Sequence, residues 1–159
     1  MTAHQETTIT ADPNLPTVEI VREFDAPVKA VFGAHTDPDL VTQWLGPRAL
    51  TMRIDHYDAH TGGSYRYVHI EEDGTEHGFF GAFHEVRPHE RIVQTFTYEG
   101  FPDGVSLETL TLEDLGNGRT RLRGLSVMDT MQARDAMVAS GMESGIVEGY
   151  ERLDELLDS

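Results

Sequence analysis

The 159-residue chain contains no cysteine, which excludes a disulfide framework, a thiolate nucleophile and a thiolate zinc site. Positive charge is scarce too: 12 Lys and Arg stand against 28 Asp and Glu, a formal net charge of −16. That surplus repels phosphate backbones and anionic lipid head groups, so neither nucleic acid nor a membrane is expected as a partner. No apolar run approaches the roughly 20 residues a bilayer-spanning helix needs, and no basic segment leads into one near the start. These absences predict a soluble, cytoplasmic protein whose acidity serves a solvated surface. Repeats are absent as well, and a chain of this length suits one domain burying roughly two thirds of its unfolded surface.

What is present reads as one ordered run of elements. The opening "MTAHQETTITADPNLP" offers little to bury, so residues 1–15 are expected to form a flexible tail ahead of a single domain over 16–159. "TVEIVREF" alternates and is rich in β-branched residues, which predicts a strand ending near Phe24. Two short helices follow: one over "DAPVKAVFGAHT", with Asp25 as a cap and Pro27 in its first turn, and one over "TDPDLVTQWLGP", capped by Thr36 or Asp37 and stopped by Gly46-Pro47. Six further strands are predicted in "ALTMRIDHYD", "GSYRYVHIEE", "TEHGFFGAFHEVR", "RIVQTFTYE", "VSLETLTLED" and "RTRLRGLSV". Hairpin signals at Asp73-Gly74 and Gly116–Gly118 make neighbouring strands antiparallel. The last element opens at "DTMQ", with Asp129 as cap and Gln132 reaching back, and runs as one long helix to about Leu157. Its stripe of Met131, Val138, Met142, Gly145, Gly149, Leu153 and Leu156 is expected to face inward, with Glu143, Glu151 and Asp154 opposite.

This order, and the stretches "FDAPVKAVFGAHTDPDLVTQWLGP", "GGSYRYV", "GFFGAFHEVRPHERIVQT" and "SGMESGIVEGYERLDELL", resemble the Bet v 1-like superfamily. Within it they resemble proteins similar to the C-terminal domain of the activator of Hsp90 ATPase. The resemblance implies an α+β helix-grip fold: a curved antiparallel sheet of about seven strands wrapped around the long C-terminal helix, with two short helices after the first strand. It also implies a hydrophobic cavity between sheet and helix, ligands ranging from lipids to polyketides, and no shared catalytic residue. No cofactor is called for. An Hsp90-type chaperone and a second copy of the chain stand as further candidate partners.

Gly141, Gly145 and Gly149 recur every fourth residue in the last helix, at a cost of about 0.8–1 kcal/mol each relative to alanine. Either the missing side chains let sheet, helix or a bulky aromatic such as Trp44 or Phe83 approach closely, or they leave volume for a ligand. A two-residue loop at Asp73-Gly74 would pair Ile70 with His77, Val68 with Phe79, Arg66 with Gly81 and Ser64 with Phe83, and that face is assigned to the core. Tyr65, Tyr67, His69 and Phe80 then point to water. Ile92, Gln94 and Phe96 join the inner face, subject to a one-residue slip that would invert the assignment. Arg66, facing an apolar cavity, needs Glu85, Glu108 or an anionic or carbonyl-bearing ligand as partner. Trp44 either plugs the core or lines the cavity mouth.

The ligand-binding set is therefore Trp44, Arg66, Val68, Phe79, Phe83, Gln94, Phe96, Met142, Gly145 and Gly149. Catalytic motifs are missing. "HEVRPH" at 84–89 departs from the zinc motif H-E-x-x-H by one residue, contains a proline and sits at a strand end, and the eight histidines show no helical ligand pair. His56, His60, Asp55 and Asp58 read as a polar turn. Neither a phosphate loop nor a nucleophile elbow occurs. Glu85, Glu108, His84 and Arg66 remain as single acids or bases for enolate or cyclisation chemistry. The leading reading is a carrier of a small apolar or aromatic molecule, with a polyketide cyclase or hydrolase, or an Hsp90-type co-chaperone, as alternatives.

Overall fold

The computed structural model describes residues 5–158. The elements follow in the order β1 (Thr8–Ala11), β2 (Thr17–Phe24), α1 (Val28–Thr36), α2 (Pro38–Trp44), β3 (Thr51–Tyr57), β4 (Ser64–Ile70), β5 (Glu76–Arg87), β6 (Arg91–Tyr98), β7 (Ser106–Gly116), β8 (Arg119–Val127), α3 (Met131–Ala139) and α4 (Met142–Leu157). The strands form one antiparallel sheet in the order β1-β2-β8-β7-β6-β5-β4-β3. Short hairpins join β3 through β8, whereas the β2 to β3 link must travel from one side of the sheet to its far edge, and α1 and α2 make that crossing. Register shifts at Ile54/His56, Phe83/Glu85 and Asp114/Gly116 bend the strands, as bulges do. The architecture is α+β and helix-grip-like, with eight strands among the described residues.

The additional strand corrects the expectation of a flexible tail. Thr8–Ala11 pairs with Val18–Val21, and Arg134, only 5% exposed, donates to the carbonyls of Asp12, Leu15 and Thr17 at 2.8–3.0 Å. Arg22 adds a bond to Thr7. The segment is held by polar contacts to later parts of the chain, which its own apolar content does not announce. Residues 1–4 and Ser159 of the expected tail and domain lie outside the described residues.

Local signals set most helix ends. The Asp37 carboxylate accepts from Asp39 N–H at the start of α2, and Pro38 occupies the first turn. At α1 the N-cap is Pro27 without a side-chain bond, and Asp25 instead accepts from Arg119. The C-terminal helix is not continuous. Thr130, rather than Asp129, caps α3 by accepting from Ala133 N–H, and Gly141 at φ +88 divides α3 from α4. A positive φ cannot lie inside a right-handed helix, so the expected ridge of three glycines is a ridge of two.

The β4–β5 hairpin also departs from expectation. Gly74 N–H donates to Glu71 O, Glu71 N–H donates to Thr75 O, and Gly74 has φ +91, so Glu72–Gly74 form a three-residue loop. The pairing is Ile70↔Glu76, Tyr67↔Phe79 and Tyr65↔Gly81, one residue from the two-residue register. β4 is therefore turned over: Tyr65, Tyr67 and His69 share the inner face with Phe79 and Phe83. Two apolar clusters result, one of Phe24, Val31, Trp44, Leu122, Tyr150 and Leu153, the other of Phe32, Tyr65, Tyr67, Phe83 and Ile92, and Leu110 and Leu112 pack against both.

Candidate functional site

The inner face of the sheet is built by cross-strand neighbours. Register places Phe83 beside Gln94, Gln94 beside Glu108, Phe96 beside Ser106, and Glu108 beside Ser126. Aromatic rings continue the surface toward β4: Phe79 stacks on Phe96 with centroids 5.4 Å apart and on Tyr67 at 5.3 Å, and Tyr67 stacks on Tyr65 at 6.0 Å. The Tyr65 hydroxyl donates to Thr95 O at 2.6 Å, and the Gln94 side chain reaches the same hydroxyl. Helix α4 closes this side by resting Tyr150 edge-on against Phe24 at 5.5 Å and pairing Asp154 with Arg22. On the inner face of the sheet, Gln94, Phe96, Glu108 and Leu110 stay only half-buried.

Glu108 is the polar centre of this face. Its carboxylate accepts from the Ser126 hydroxyl and from Ser106 Oγ at 3.1 Å. Burial raises its pKa above the ordinary glutamate value, and the two hydroxyl donors partly oppose that rise. Burial likewise raises the Tyr65, Tyr67 and Tyr150 phenols, and the Glu108 charge adds to each of those rises. His69, 8% exposed at the end of β4, is held to a pKa of about 4 by burial, then by the Arg152 charge and His77. Its Nε2 has no hydrogen-bond partner among the described residues, and it packs against Gly46 and Phe79.

The structure brings Phe79, Phe83, Gln94 and Phe96 of the expected set together and disperses the others. Trp44 is a core plug: its indole N–H donates to Ala34 O at 2.8 Å and its ring stacks on Tyr150 at 5.9 Å. Arg66 lies on the opposite side of the sheet, bonded to Glu99 at 2.7 and 2.8 Å and to Asp55, so its expected partners Glu85 and Glu108 are wrong. Val68 is buried on that same side of β4, outside both apolar clusters. Met142 is the half-buried first residue of α4. A Cβ on Gly149 would lie 3.4 Å from Trp44 O and Gly46 N, and one on Gly145 would lie 3.6 Å from Pro47 Cδ. Both glycines thus face the α2–β3 connection, at distances where a Cβ would make ordinary contact.

Of the four candidate acids and bases, only Glu108 faces inward. Glu85 binds Arg87 and Arg91, His84 is exposed, and Arg66 is on the other side. Tyr65 and Tyr67 belong to the inner face, contrary to the expectation that they point to water, and Ser106 and Ser126 join them there. Signals for them existed: Tyr-x-Tyr alternating with a charged Arg66 favours tyrosines inward, and Glu-Glu-Asp-Gly fits a three-residue loop as well as a two-residue one. Among the described residues no group of three His, Asp or Glu is placed to hold a metal ion, and no helix is long and apolar enough to cross a membrane.

Comparison with known proteins agrees with this geometry. The sequence model described as activator of Hsp90 ATPase homolog 1-like protein matches residues 25–158. A crystal structure of a Rhodobacter sphaeroides protein is similar at 30% identity and a TM-score of 0.88, covering 96% of this chain and 99% of that one. A solution structure from Arthrobacter aurescens is similar at 27% identity and a TM-score of 0.87, covering 95% and 91%. The crystal structure of the AHSA1 protein from Silicibacter pomeroyi, at 21% identity and a TM-score of 0.74 over 89% and 97%, shares the fold. No curated protein matches the chain.

Proposed function

Because the chain belongs to the activator of Hsp90 ATPase homolog 1-like family, a branch of the Bet v 1-like superfamily, we propose that it binds a small apolar or aromatic molecule between the sheet and α4. The observation that carries this reading is the half-buried state of Gln94, Phe96, Glu108 and Leu110, which face the interior and yet keep surface open to solvent. Packed interiors leave few voids, so inward apolar surface of this kind favours an occupant. The row of Tyr67, Phe79 and Phe96 supplies apolar ring surface, and Gln94, Glu108 and the two serines supply orientation. The binding set is accordingly revised to Tyr65, Tyr67, Phe79, Phe83, Gln94, Phe96 and Glu108.

The test is extraction of the purified protein for mass spectrometry, joined to thermal-shift titration with lipids, flavonoids and polyketides. A co-purifying apolar molecule, or a saturable rise in melting temperature lost in Phe96→Ala, is the expected result. Absence of any binder across both measurements removes the proposal.

A further inference from the structure

Glu108 is an inward-facing carboxylate that pairs with no cation among the described residues. Glu23, Asp55, Glu85, Glu99 and Asp154 each pair with an arginine, whereas the groups acting on Glu108 are the Ser106 and Ser126 hydroxyls and its surroundings. A carboxylate offers about four lone-pair directions, and two hydroxyl donors leave about two free. A half-buried carboxylate in that condition gains from a further donor, best a charged one. The surrounding rings suit a cation as well. Tyr65 and Tyr67 lie close enough to feel the Glu108 charge, and Phe96, which ends the ring stack beyond Phe79, offers a π face on which an ammonium is attracted. The net charge of −16 concentrates cations and repels anions on approach.

Resting on the binding reading above, we propose that Glu108 makes the site selective for molecules that join an apolar or aromatic body to a protonated amine. The ammonium lies against the Glu108 carboxylate, and the body lies against Tyr67, Phe79 and Phe96. Carboxylate-bearing molecules of the same shape are rejected, because their charge would face Glu108 with no cation between.

Three probes of one shape separate the possibilities: 2-naphthylmethylamine, 2-naphthalenemethanol and 2-naphthoate, titrated calorimetrically into the full chain at low salt. The amine is expected to bind at least about ten-fold more tightly than the alcohol, the effect of one charge-assisted bond, and the acid more weakly than either. Glu108→Gln should erase the amine's advantage over the alcohol. In the unsubstituted protein the carboxyl carbon resonance of Glu108 should move with the amine and stay in place with the alcohol, a readout that does not depend on the variant folding. Equal binding of amine and alcohol, or preference for the acid, overturns the amine selectivity while leaving the cavity reading intact. Failure of all three to bind overturns the amine selectivity, and the binding reading falls with it only if extraction and thermal shift also find no binder.

Discussion

The pair that ties α4 to the sheet allows a worked prediction. Arg22 on β2 has a fully buried side chain, and it grips Asp154 with two bonds, Nη1 to Oδ1 at 2.9 Å and Nη2 to Oδ2 at 2.6 Å. Removing one partner of a buried pair costs about 3–5 kcal/mol, mostly because the other charge is stranded. Two features put Asp154→Ala at the low end, about 3 kcal/mol. Arg22 keeps the Glu23 carbonyl at 2.9 Å, Thr7 Oγ1 at 3.3 Å and the Phe24 ring at 4.8 Å, and Asp154 is 24% exposed, so water can reach the vacated position. For a domain of this size that loss lowers the melting temperature by about 6–12 °C. Urea unfolding followed by fluorescence of Trp44, stacked on Tyr150 one turn before Asp154, measures it directly. Arg22→Met combined with Asp154→Leu should recover all but about 1 kcal/mol, since the stranded charge is gone. A loss below about 1 kcal/mol for Asp154→Ala, the range of an exposed pair, would refute the argument, as would a double variant no better than the single one.

Other substitutions test the packing of the α2–β3 connection. Gly46→Ala should destabilise by about 2 kcal/mol or more, because Gly46 has φ +94 and a Cβ there would overlap the His69 ring; an unchanged urea midpoint contradicts this. Gly145→Ala should stabilise by about 0.5–1 kcal/mol, since its Cβ meets only Pro47 Cδ at ordinary contact distance and alanine favours the helix; a measured loss would show that the space is needed. Stability should fall with acid: burial holds His69 near pKa 4 against 6.5 unfolded, so its contribution is complete above pH 6.5 and is lost as pH falls from there toward 4, by about 3 kcal/mol. His35, also held near 4 by burial, acts in the same direction. Urea midpoints between pH 7.5 and 4 should flatten in His69→Gln, and an unaltered slope would discount the buried ring.

The element order and strand positions from β2 to β8, the α2 cap and the turn at Asn117-Gly118 were legible in the sequence, because each depends on a few adjacent residues: alternation, Asp37-Pro38, and φ values of +56 and +72 that Asn and Gly accept. Four of the ten expected binding residues, Phe79, Phe83, Gln94 and Phe96, proved to share one face, since β5 and β6 kept the side assigned to them. What only tertiary structure decided was less local. One residue in the Glu72–Gly74 loop chose which side of β4 met the core, exchanging Arg66 for Tyr65 and Tyr67. Contacts more than a hundred residues apart, Arg134 to the Asp12–Thr17 carbonyls and Arg22 to Asp154, ordered a segment that looked loose and set the rotation of α4. Short-range steric preference is written residue by residue, whereas register and long-range ion pairing depend on which distant groups meet once the chain has folded.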